Sequence, residues 1–122
     1  MLRLDEMDSR VTLREQMETS VAPVVLINTF TVAPEEAEQF LSAWAADAAF
    51  MQSQPGFISA QLHRGIGGSS LFLNYAVWES TEAFARAFAQ PAFRSSLGKY
   101  PPSTVASPHL FSKVAVPGIR VG

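Results

Sequence analysis

The stretch Val24-Val25-Leu26-Ile27-Asn28-Thr29-Phe30-Thr31-Val32, followed by Pro34-Glu35-Glu36, decides the fold. Its β-branched and apolar residues read as a strand. Pro34 then stands where the first turn of a helix has no use for an N–H, and Glu35, Glu36 and Glu38 complement the positive end of a helix dipole. Ala37, Phe40, Leu41, Trp44, Ala48 and Met51 recur at steps of three and four, which predicts a helix with one buried face. Pro55-Gly56 ends it by Gln54.

Working outward, Phe57 to Ile66 reads as a second strand and Leu71 to Trp78 as a third. The Gly65, Gly67, Gly68, Ser69 and Ser70 turn makes them a hairpin. Ser80 can cap a second helix whose buried stripe is Ala83, Phe84, Ala87 and Phe88. Pro91 interrupts it; Phe93 and Leu97 suggest one more short turn before Gly98 and Pro101-Pro102. A last strand is expected from about His109 to Val116. This order predicts an α+β domain of ferredoxin-like βαββαβ type, with both helices on one face of an antiparallel sheet. The domain spans residues 23–117. Residues 1–22, whose Val11, Leu13 and Met17 form only a slight apolar edge, read as a mobile tail or an arm on a partner subunit, and 118–122 as a C-terminal tail.

The strands are apolar on both faces. Val24, Leu26 and Phe30 oppose Val25 and Ile27; Phe72, Ala76 and Trp78 oppose Leu71, Leu73, Tyr75 and Val77. Two helices cover one face, so the other needs a second sheet, most simply from another copy of the chain. A homodimer forming a dimeric α/β barrel is therefore expected.

At 122 residues and 48% hydrophobic content the chain can bury one real core. Net charge is −2 with no basic stripe, so no nucleic-acid partner is expected. Cysteine is absent, which excludes disulfides, thiolate chemistry and cysteine-ligated metals. The charged N-terminus does not read as a signal peptide. No apolar run approaches the roughly 18 residues of a membrane span. A cytoplasmic protein without a membrane partner is the expectation.

Polar groups on apolar strands are the informative positions, because burying them costs free energy unless they find partners. Asn28, His63 and Asn74 stand out. Asn74 and Trp78 are four apart on a strand, so an amide and an indole N–H emerge on one face and can both donate to a carbonyl or phenolate. Each has a structural reading beside it: an asparagine pairing with backbone at a bulge, a core tryptophan, a satisfied strand histidine. His109, beside Pro108, reads as an exposed strand edge without a role. No metal-ligand spacing, phosphate-cradling glycine motif or nucleophile elbow is present, and neither metal nor other cofactor is expected.

Pro55-Gly56-Phe57-Ile58-Ser59-Ala60, His63, and Leu73-Asn74-Tyr75-Ala76-Val77-Trp78-Glu79-Ser80 together resemble the antibiotic biosynthesis monooxygenase family. The resemblance covers about residues 23–117. It implies a dimeric α+β barrel that oxidises a small aromatic, anthrone- or quinol-like substrate with O2 and no metal or flavin. It implies oxygen-binding roles for Asn74 and Trp78 and a pocket role for His63 as proton acceptor, these three being the catalytic set. Asn28, Trp44, Phe84 and Phe88 form the substrate-binding set. Phe84 stands where anthrone-oxidising members carry a tyrosine, so no hydroxyl is available there. The alternative is a non-catalytic dimeric barrel that binds a small apolar ligand. A haem-degrading branch of the family shares Asn28, but Ala87 and Leu97 stand at its tryptophan and axial-histidine positions, which disfavours haem degradation.

Overall fold

The computed structural model describes residues 2–121. Five strands, β1 (Arg3–Leu4), β2 (Val24–Thr31), β3 (Phe57–Arg64), β4 (Leu71–Trp78) and β5 (Val105–Phe111), form one sheet in the order β1-β5-β2-β4-β3. All neighbours are antiparallel except β1, which runs parallel to β5. The helices are α1 (Leu13–Met17), α2 (Ala37–Gln52), α3 (Thr81–Phe88) and α4 (Pro91–Ser96). Within this set β2-α2-β3-β4-α3-β5 is the ferredoxin-like unit.

Local chemistry explains the joints. Pro34 opens a 3-10 turn over Pro34–Glu36, and the α-helix proper begins at Ala37. The Ser80 hydroxyl accepts from the Ala83 N–H at 3.1 Å and starts α3. Gly56 adopts a φ of +90°, and a Cβ there would collide with the Cβ of Ala83, so the turn into β3 is packed directly on the start of α3.

The core divides in two. Toward one end of the sheet, Val24, Leu26, Ala76, Trp78 and Leu110 pack against Leu13 of α1 and Ala83, Phe84 and Ala87 of α3. Toward the other, Phe30, Phe72 and Ala106 pack with Tyr100 against Ala37, Phe40 and Ala43 of α2. The buried stripe of α2 is rotated from the expected one: Leu41 is exposed at 36%, and Asp47 is buried.

Three expectations about the ends of the chain are corrected. Residues 1–22 were expected to be a tail or a partner-bound arm; in the described part, β1 and α1 lie on this chain's own β5. Thr12 and Glu15 form a capping box, which holds the Glu15 carboxyl below the usual carboxylate range through the Thr12 N–H and hydroxyl. Gln16 then lays its carboxamide along β5 like a strand partner, accepting from the Leu110 N–H and donating to the Leu110 carbonyl, both at 2.9 Å. A two-residue strand and a five-residue helix are too short to show periodicity, which is why the sequence carried no signal for them.

The last strand runs Val105–Phe111 instead of His109 to Val116. Pro108 sits inside it without breaking it. The Ala106 carbonyl faces β1, taking the Asp5 N–H, so the missing donor of Pro108 also faces that side, just past the two β5 residues that β1 covers. His109, expected at an exposed edge, is 9% exposed, with Nε2 3.1 Å from Gln16 Nε2. Gln16 Nε2 is a donor fixed by the Leu110 contact, so His109 Nε2 is the acceptor and its proton sits on Nδ1.

The second sheet face carries Val25, Ile27, Leu73 and Val77 half-buried, with Leu71, Tyr75 and Phe111 exposed at 45%, 41% and 42%. Among the described residues, only the β5 end of this face is covered, where Gln16 reaches His109.

Candidate active site

Between the two halves of the core lies a cavity of about 90 Å³, roofed by helices and floored by the sheet. A single water needs roughly 10–15 Å³ on such a measure, so this space is more than a packing defect. The strand registers place it. Asn28 pairs with Asn74 across β2 and β4, and Asn28 also pairs with Pro108 on β5, while Asn74 pairs with Leu62 on β3. This row marks the gap between the two apolar clusters, and the asparagines stand at its centre.

Both carboxamide oxygens are unsatisfied. Asn28 Oδ1 and Asn74 Oδ1 are buried with no hydrogen-bond partner. Orphaning a buried acceptor costs about 1–3 kcal/mol, so two side by side on one face are expensive unless a ligand supplies donors or takes their N–H groups. Trp78, four residues and two strand repeats beyond Asn74, lines the same cavity. Its ring packs edge-on against Phe57 at 5.4 Å and Phe84 at 5.9 Å, and the aromatic series continues through Phe88 (5.5 Å) to Phe93 (5.4 Å). These contacts lock the indole in place against the cavity.

Six of the seven residues singled out in the sequence line this one cavity: Asn28, Trp44, Asn74, Trp78, Phe84 and Phe88. His63 does not. Leu62 is the register partner of Asn74, so Leu62 lies on the cavity's side of the sheet and the next residue, His63, points to the opposite sheet face. There it is exposed, with Nδ1 3.1 Å from the Gln61 carbonyl oxygen. The expected pocket histidine is thus displaced by strand parity. His109 is also on that opposite face of the sheet, so neither histidine lines the cavity.

Two residues that the sequence reading passed over take the vacant chemical place. Asp47, three residues after Trp44 and four before Met51, lies on the cavity stripe of α2 and is only 6% exposed. Its Oδ1 accepts from the Ser96 hydroxyl, and its Oδ2 is buried without a partner. Tyr100 reaches the same cavity from the loop after α4. Burial first, and then the neighbouring Asp47 carboxylate, push its hydroxyl well above the ordinary tyrosine range, so it stays protonated. The signal for Asp47 was legible as a lone acid inside an apolar helical stripe. That for Tyr100 was not, because it belongs to no periodic element.

Among the described residues, no group of three or more His, Asp or Glu side chains gathers in a metal-binding arrangement, and no helix is long and apolar enough to cross a membrane. The cavity therefore offers neutral N–H donors on the sheet, one carboxyl and one phenol from the roof, and an apolar aromatic wall. That suits a small, largely apolar molecule carrying a few polar atoms.

Residues 23–97, more than half of the chain, match the family described as antibiotic biosynthesis monooxygenase. Deoxynogalonate monooxygenase of Streptomyces nogalater is 44% identical over 70 residues, which is 57% of this chain and 58% of that protein. Among solved structures, SnoaB of Streptomyces nogalater, described as a cofactor-independent oxygenase, is 34% identical with a TM-score of 0.68, covering 81% of this chain and all of that one. A Pseudomonas aeruginosa protein is 26% identical with a TM-score of 0.64, covering 78% of this chain and 97% of that one. With the fold, the matched span and these relatives in agreement, the chain belongs to the antibiotic biosynthesis monooxygenase family.

Proposed function

We propose that this protein is a cofactor-independent monooxygenase that oxidises a small anthrone- or quinol-like aromatic compound with O2. The observation that carries this reading is the row of unsatisfied Asn28 and Asn74 beside Trp78 in an aromatic-walled cavity. For an anthrone the overall change is ArCH2Ar + O2 → ArC(O)Ar + H2O. One oxygen atom enters the new carbonyl and the other leaves as water, and the substrate's methylene supplies all four electrons. No external reductant is required. The protein's task is to favour the substrate anion, which reacts with O2, and to hold its charge. Indole and carboxamide N–H groups fixed in an apolar site do this without reorganising.

The experiment is oxygen uptake with dithranol or a simple naphthohydroquinone. Wild type should consume O2, and Trp78→Phe, which keeps a ring and loses the N–H, should be about 10²–10³-fold slower in kcat with its fold retained. Equal specific activity in the two would remove Trp78 from the site. A second reading, a ligand-binding barrel without turnover, is favoured by Phe84, which lacks a hydroxyl where the resemblance places a tyrosine. It predicts dithranol binding, seen as quenched tryptophan fluorescence, without oxygen uptake. Under either reading we place the protein in the cytoplasm as a homodimer, joined through the uncovered sheet face.

A further inference from the structure

We propose that Asp47 is the base that takes the substrate's proton, acting from the helical wall of the cavity opposite the asparagine row. This rests on the monooxygenase reading above and adds to it the group that makes the reactive anion.

Three observations converge on Asp47. First, among the described residues the titratable side chains lining the cavity are Asp47 and Tyr100 alone. Second, Asp47 is a carboxyl buried with no cationic partner among the described residues: the ion pairs found there, Arg3 with Asp5 and Arg10 with Asp8, lie on the surface. A leucine at this position of α2 would fill the same stripe without the cost of burying an unpaired carboxyl. Third, the carboxyl is half used. Ser96 holds Oδ1, which fixes the orientation of the group, while Oδ2 makes no hydrogen bond of normal length and the Tyr100 hydroxyl stands beside the carboxylate.

The placement also separates the two jobs. The sheet floor holds Asn28, Asn74 and Trp78, which suit the oxygen on which negative charge develops. The roof holds Asp47, from α2, and Tyr100 beside it. In the proposed step the acidic C–H bond of the substrate breaks and the proton goes to Asp47 Oδ2. The bonding electron pair stays with carbon and spreads to the carbonyl oxygen as an enolate. Oxidant and reductant play no part in this step, so it can be observed without O2.

The test is anaerobic exchange of the C10 hydrogens of dithranol in D2O, run beside aerobic oxygen uptake on the same preparations. Wild type should accelerate exchange over buffer. Asp47→Asn, which keeps the shape, and Asp47→Leu, which fills the stripe, should each lower that acceleration by about 10²-fold or more while still binding dithranol with quenched tryptophan fluorescence. Two variants of opposite polarity guard against misfolding of one. Wild-type exchange rates in either variant that binds dithranol would overturn the proposal, since a purely structural carboxyl predicts that result. Absence of any acceleration by wild type would overturn it too. Exchange that is present in wild type and lost in both variants, without oxygen uptake by wild type, would uphold Asp47 and bring down the monooxygenase reading instead.

Discussion

Asn28 and Asn74 are placed where stability alone would not put them. Each carries a buried acceptor without a partner, beside space into which a larger apolar side chain could grow. Asn28→Leu should therefore raise the unfolding free energy by about 1 kcal/mol in a urea titration while abolishing or sharply lowering turnover. A loss of stability would show instead that the carboxamide is satisfied in solution. Tyr100 gives a pH signature. Its hydroxyl is held protonated in the fold, above its unfolded value, so its contribution is fully present below the unfolded pKa and is lost as pH rises beyond it. Urea midpoints should fall above about pH 10, where tyrosines of the unfolded chain ionise, and fall less in Tyr100→Phe. At this scale the sequence was informative wherever a polar residue interrupted an apolar strand. It misled at His63 because composition does not reveal which of two alternating faces a residue takes.

The elements explain why the cavity exists. α3, with α1, fills one end of the sheet and α2 fills the other, and the asparagine row lies between them. Two small contacts hold these elements in place. Gly56→Ala, at a φ of +90° and against Ala83, should cost about 1–3 kcal/mol, with β3 and α3 pushed apart at their shared corner. Gln16→Ala strips the outer edge of β5 of the group that completes it at Leu110. It should cost about 2 kcal/mol and speed hydrogen exchange at the Leu110 amide, with the Asn28–Asn74 pair unaffected. An unchanged exchange rate at Leu110 would mean that α1 does not guard this edge.

For the whole molecule the apolar second sheet face is the feature that bears on assembly. Tyr75, Leu71 and Phe111 there are each more than 40% exposed, and Val25, Ile27 and Val77 lie between the outer strands. An apolar sheet of this extent needs a cover, and a second copy offers a matching one. Light scattering should return about twice the protomer mass of 13.3 kDa. Tyr75→Asp, placing a charge amid that face and away from the cavity, should shift the mass toward the protomer. A protomer mass for wild type would require another cover for these strands.

The order of β2, α2, β3, β4 and α3, the turn at Gly65 to Ser70 and the apolar character of both sheet faces were determined by the sequence itself, because they depend on local periodicity and on glycine and proline chemistry. So was the choice of Asn28, Asn74 and Trp78 as unusual residues. The tertiary structure alone decided that Asn28 stands opposite Asn74, that His63 faces away, and that Asp47 and Tyr100 look onto the same cavity. It also decided that the N-terminal segment closes the edge of β5. The reason is physical. Periodicity tells that an element has a buried face, but register, parity and the meeting of residues far apart in the chain arise only when the elements pack.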